Sequence, residues 1–238
     1  MSGIRLIVGL GNPGREYERT RHNAGFWLLE RFAALEGVAL RKEAKYSAFV
    51  GRHERSGAWL VVPQTFMNLS GKSVVLLAGF FKIPASEILV AHDELDFTPG
   101  VARLKQGGGV AGHNGLKDIA GRIGSTEFWR MRIGIGHPGD RSAVADYVLG
   151  KPAPQDREAI DASIGKALEV LPLCLAGDLQ GAMQKLHSVE KERPVERKPV
   201  ETKPELKVEV KPAPQPVPPA EKPAEKKGLF GSLFGKKK

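Results

Sequence analysis

Residues 4–25 read IRLIVGLGNPGREYERTRHNAG, and they decide the fold. Ile4, Leu6, Ile7 and Val8 make a short apolar run of the kind a buried strand needs, and it stops at Gly9-Leu10-Gly11-Asn12-Pro13-Gly14. Thr20-Arg21-His22-Asn23-Ala24-Gly25 follows. From Ala24 to Glu36 the residues Phe26, Leu28, Leu29, Phe32, Ala33 and Leu35 fall broadly on one side of a helix, which Gly37 ends. A strand feeding a helix through a polar loop is an α/β unit. Ligands of such proteins bind at the carboxyl ends of the strands, where loops hold side chains over a rigid sheet. The chemistry is therefore expected around this loop.

The alternation continues outward. Residues 46–52 and 58–62 read as two strands of a hairpin about Ser56-Gly57, and the loop Pro63 to Ser70 feeds a helix over about 71–82, stopped before Pro84. Residues 87–92 (EILVAH) form a short buried strand ending in the acidic loop Asp93-Glu94-Leu95-Asp96. A strand over 101–105 leads through the glycine-rich stretch 107–115 into a helix beginning near Asn114. Residues 128–136 alternate as a strand with Met131, Ile133 and Ile135 on one face and Arg130 and Arg132 on the other. Residues 154–176 are mostly helical, and a last short helix ends near His187.

Beyond Ser188 the composition changes. Nine of the seventeen prolines fall in residues 190–238, interleaved with Lys and Glu, and such a segment buries too little apolar surface to offset its ordering entropy. Two units are expected: a domain over 1–189 and a disordered tail over 190–238, whose end pairs Leu229-Phe230 and Leu233-Phe234 with Lys236-Lys237-Lys238. The net charge of +9 divides into +5 on the tail and +4 on the body, so a nucleic-acid partner must be argued from a local patch. The single cysteine, Cys174 between Leu173 and Leu175, permits no internal disulfide and reads as a small buried hydrophobe of a reducing compartment. No signal segment or membrane span is legible, which points to the cytoplasm.

Familiar motifs fit poorly. Gly9, Gly11 and Gly14 match a dinucleotide pattern, yet Pro13 removes an amide that such a loop aims at a pyrophosphate, and the helix starts too late. Gly71-Lys72-Ser73 ends like a phosphate loop, but Phe66 stands where that loop needs glycine. No Gly-x-Ser-x-Gly elbow is present. His92, Asp93, Glu94 and Asp96 lack a ligand-spaced partner, so an exposed acidic loop is the default over a metal site.

What remains is Asn12, Tyr17, His22, Asn68, Asp93 and Asn114, each at the end of an expected strand or the start of a helix. Asparagine amides donate and accept, so three of them can hold a peptide-like substrate. His22, with an ordinary pKa of about 6.5, is the natural general base, and Asp93 could accept its other ring proton. With no protein nucleophile, the base would activate water for hydrolysis. The plainer alternatives are turn residues after strands and a histidine before a helix cap.

The segments VGLGNPG, TRHNAG, TFMNLSG, ILVAHDELD, KQGGGVAGHNGLKD, RMRIGIGHPGD and YVLGKP, in this order, resemble the bacterial peptidyl-tRNA hydrolase family from about Ile4 to His187. The resemblance implies one α/β domain with a mixed central sheet flanked by helices, monomeric, acting without metal or cofactor. It implies cleavage of the ester between a peptide and the 3′ end of tRNA, recycling tRNA from prematurely released peptidyl-tRNA. Carried over by motif, His22 is the base and Asp93 keeps it basic. Asn12, Tyr17, Phe66, Asn68 and Asn114 contact the peptidyl ester and terminal nucleotides, Asn12 also separating blocked from free amines. Met67 lines a peptide channel, and Lys105 and Arg132 clamp the 5′ phosphate of the acceptor stem. A non-catalytic RNA-binding protein of the same fold is the alternative.

Overall fold

A computed structural model describes residues 3–188, and the segment 190–238, with the expected tail, lies outside the described residues. The opening run forms β1 (Leu6–Gly9), which pairs in parallel with β4 (Ala58–Pro63) on one side and β5 (Ile88–Glu94) on the other. Both faces of β1 are covered. Leu6 and Val8 join one apolar cluster and Ile7 the other, which is why the strand reads as a continuous apolar run.

The remaining strands are β2 (Arg41–Glu43), β3 (Ala48–His53), β6 (Ala102–Gln106) and β7 (Trp129–Gly134). They complete a seven-stranded mixed sheet in the order β2-β3-β4-β1-β5-β7-β6. The β3–β4 hairpin and the β6–β7 edge pair are antiparallel, and β7 runs parallel to β5. Helices α1 (Ala24–Leu35), α5 (Pro154–Ala176) and α6 (Leu179–Ser188) contribute to one apolar cluster. Helices α2 (Ser70–Phe80) and α3 (Asn114–Ile123) contribute to the other, and α4 (Val144–Leu149) follows a turn beyond β7. The expected α/β domain with a mixed sheet between helices is the fold observed. Among the described residues no helix is long and apolar enough to cross a membrane.

Four details differ from the sequence reading. Strand β5 runs on through Asp93 and Glu94, both buried, so these residues are not an exposed acidic loop. Their charges meet buried imidazoles and Arg132 instead of water. Strand β2, an exposed Arg-Lys-Glu edge, carries no apolar alternation that would announce it. Helix α4 also went unannounced. Leu35 leaves the buried stripe of α1 and is exposed. Cys174 is buried as expected, and burial pushes its thiol up to about 12.

The glycines after β1 serve packing. A Cβ on Gly25 would lie 2.3 Å from the Ala91 carbonyl and 2.5 Å from the Leu10 amide, and one on Gly11 would strike the Phe26 ring. Their absence lets the first turn of α1 sit directly on the ends of β1 and β5. Two of the loop amides are already used: Leu10 N donates to Ala91 O, and Asn12 N to Asn23 Oδ1 at 2.8 Å.

Candidate active site

A 3₁₀ turn over Arg21–Asn23 carries His22 to the carboxyl end of β5. Its Nδ1 donates to both carboxylate oxygens of Asp93 at 2.9 Å, which leaves Nε2 as the unprotonated nitrogen. His22 also lines a cleft of about 710 Å³. Burial alone would lower the His22 pKa, but the charge and hydrogen bond of Asp93 outweigh it, so the net shift is upward from 6.5. For Asp93, burial would raise the pKa, and the imidazoles of His22 and His113 hold it well below the usual carboxylate range. The two shifts agree: an anionic Asp93 strengthens the base.

Asp93 has a second partner. His113 Nε2 lies 3.0 Å from Asp93 Oδ1, while its Nδ1 accepts from the amides of Gly115 and Leu116 and caps α3. The cap fixes the tautomer, so Nε2 carries the ring proton and donates it to Asp93. The rings of His22 and His113 are 5.1 Å apart. His22, Asp93 and His113 are also spaced as metal ligands could be. A metal on His113 Nε2 would require Nδ1 to take up the proton and lose the helix cap, so the arrangement fits a proton-bearing network better. His92, the next residue of β5, gives its Nδ1–H to the Asp93 carbonyl, and burial, then His113, lowers its pKa to about 3. It stays neutral, and no metal set forms with Glu94 and Asp96.

The other sequence candidates fall into two groups. Asn114, Lys105 and Arg132 line the same cleft as His22 and Asp93. Arg132 Nε donates to Glu94 at 2.7 Å, and its guanidinium lies over the Phe97 ring. Lys105 is exposed at the rim. Asn12, Tyr17, Phe66, Met67 and Asn68 form the second group, outside the cleft lining. Asn12 Oδ1 accepts from the buried Met67 amide at 2.7 Å, and its Nδ2 donates to nothing among the described residues. Asn68, exposed, follows on the same 3₁₀ turn. Tyr17 and Phe66 meet edge to face with centroids 6.3 Å apart, and Phe66 is 57% exposed.

Three residues missed in the sequence hold this arrangement. Asn23 bridges the backbone of Asn12 from both sides, accepting from its N–H and donating to its carbonyl, and so ties the loop after β1 to the turn that carries His22. Its position directly after His22 was the available signal. His113 stands beside Asn114, and Arg130 beside the Arg132 repeat, but their partners come from other elements.

This α/β domain places a histidine–carboxylate pair at the strand ends and cationic side chains at the rim, groups chemically able to act as a general base beside an anion. No serine or cysteine among the described residues bonds His22. The family model for peptidyl-tRNA hydrolase matches residues 6–194. A peptidyl-tRNA hydrolase of Methylobacillus flagellatus is 54% identical over 192 residues, 80% of this chain and all of that one. One from Pseudomonas paraeruginosa is 56% identical over 191 residues, 79% and 98% of the two chains. The crystal structure of peptidyl-tRNA hydrolase from Acinetobacter baumannii superposes with a TM-score of 0.76 at 48% identity, covering 78% of this chain and 95% of that one. The chain belongs to the peptidyl-tRNA hydrolase family.

Proposed function

We propose that His22 is the general base of this family member, an enzyme that hydrolyses the ester of peptidyl-tRNA. The observation that carries the reading is the bidentate hold of Asp93 on His22 Nδ1, which leaves Nε2 free to accept a proton. Water gives a proton to His22 Nε2 as its oxygen bonds the ester carbonyl carbon. The carbonyl oxygen takes the negative charge and is met by an asparagine amide. Collapse breaks the bond to the 3′ oxygen of the terminal ribose, which leaves with the proton from His22. The products are a free peptide acid and tRNA. Positioned general-base catalysis supplies about 10² to 10⁴ in rate, and oxyanion donors add to it.

In this reading Asn12, Asn68 and Asn114 hold the peptidyl ester, and Asn12 also separates blocked from free amines through its unpartnered Nδ2. Tyr17 and Phe66 present aromatic faces to the terminal nucleotide, and Met67 lines the peptide path. Lys105 and Arg132 meet the 5′ phosphate, a contact that positions tRNA without reading bases. Glu94 and Phe97 support this by holding the Arg132 guanidinium in place. The working unit is residues 1–189, monomeric and cytoplasmic, with 190–238 as an appended basic segment. It acts in recycling tRNA from prematurely released peptidyl-tRNA.

The test is release of N-blocked peptide from peptidyl-tRNA by the wild-type chain and by His22→Ala, with unblocked aminoacyl-tRNA as control. Fast release from the blocked substrate alone, lost on substitution, is expected. Tight tRNA binding without release from either substrate would overturn it in favour of a binding protein.

A further inference from the structure

Between β6 and α3 a glycine-rich loop lines the cleft, and its sequence does little to hold it in one shape. Gly107, Gly108 and Gly112 have φ of +62°, +93° and +75°, and Ala111, which is not a glycine, has φ of +46°. A left-handed alanine is strained, and the glycines bring the entropy of a flexible chain. The loop nevertheless ends on the residues that matter most, His113 on Asp93 and Asn114 in the cleft.

What grips it is Arg130 of β7, 4% exposed. One terminal nitrogen of its guanidinium donates to the Gly109 carbonyl and the other to the Gly108 carbonyl. The ring of Phe128 lies beneath, 5.1 Å away, and no carboxylate of the described residues pairs with the guanidinium. Burial, and then the neighbouring Arg132, lowers its pKa against the opposing charges of Glu94 and Glu127. Across the β6–β7 ladder Arg130 stands directly opposite Lys105, a like-charge pairing that destabilises an antiparallel sheet. A buried cation in that position, with its fork spent on two consecutive carbonyls, serves the loop.

We infer that Arg130 is a positioning residue for the hydrolysis: it latches the glycine-rich loop in the conformation that seats His113 on Asp93 and Asn114 at the substrate. This rests on the reading of His22 and Asp93 as the base pair. The planar fork holds both carbonyls in one fixed geometry, whereas a lysine keeps the charge on a flexible stem with rotatable donors and loses that geometry.

That difference makes the test. Arg130→Lys and Arg130→Met are compared with wild type for kcat and KM on N-blocked peptidyl-tRNA, and for the NMR signal of the His113 Nε2 proton. The latch predicts that both variants lose about tenfold in kcat, that KM of the lysine variant stays within about threefold, and that the His113 signal broadens or vanishes. A lysine variant equal to wild type, with the methionine variant raised in KM alone, would overturn the latch and make Arg130 a charge for RNA. Unchanged kcat with an intact His113 signal would overturn it as well. Should neither variant fold, the wild-type Arg130 Nη protons decide: separate, slowly rotating signals support the latch, and one averaged line contradicts it. Failure of the underlying site reading is seen separately, as an active His22→Ala or an inactive wild type.

Discussion

The proposed base and the cationic rim of the cleft are built in opposite ways. His22 and Asp93 are buried and, with the partly buried His113, are fixed by hydrogen bonds that satisfy both oxygens of one carboxylate. Lys105 is exposed, and Arg132 is tethered by Glu94 while still lining the cleft. Buried charges interact strongly and are hardly screened, whereas exposed ones weaken within about 10 Å at ordinary salt. The base should therefore ignore ionic strength and answer to pH. The rim should do the reverse.

The sharpest way to break this comparison is His22→Ala. It should lower kcat by about 10² to 10⁴ with tRNA affinity unchanged, as read from single-turnover peptide release and a filter-binding titration. Asp93→Asn comes next, with a fall of about 10² in kcat/KM, because the amide cannot offer two anionic oxygens to the imidazoles. Third is Gly25→Ala, aimed at the scaffold common to both regions. A methyl 2.3 Å from the Ala91 carbonyl forces α1 away from β5, so stability should drop by about 1–3 kcal/mol or more in urea unfolding. The smallest effect belongs to Lys105→Ala, which should raise KM several-fold at low salt and reduce the slope of log affinity against log salt by about 1. Equal salt dependence in that variant and in wild type would remove Lys105 from the phosphate contact.

The same contrast explains what the sequence disclosed. β1, β4 and β5 were legible because strands covered on both faces need unbroken apolar runs, β7 because its apolar residues alternate with Arg130 and Arg132, and α1 because its buried stripe keeps helical spacing. His22 and Asp93 could be paired because one is a natural base, the other can accept its ring proton, and each comes after an apolar run. The burial of Asp93 and Glu94 was not legible, since acidic residues after an apolar run ordinarily mean a loop. Here they stay in the strand because His22, His113 and Arg132 arrive from other elements. Asn23 and Arg130 act on backbone groups of Asn12, Gly108 and Gly109. Such bonds depend on a folded path and leave no periodicity behind. The short, polar β2 leaves none either, being held by register with β3.

The central claim, that a buried Asp93 makes His22 a stronger base, is tested most directly by the pH profile of kcat/KM for wild type and Asp93→Asn. In the proposed mechanism the active form is neutral His22, whose raised pKa places the wild-type acid limb above 6.5. Removing the carboxylate charge leaves burial as the dominant influence and lowers that pKa, so the limb of the variant should move to lower pH as its plateau falls. A limb that stays in place, or moves upward, would contradict the account.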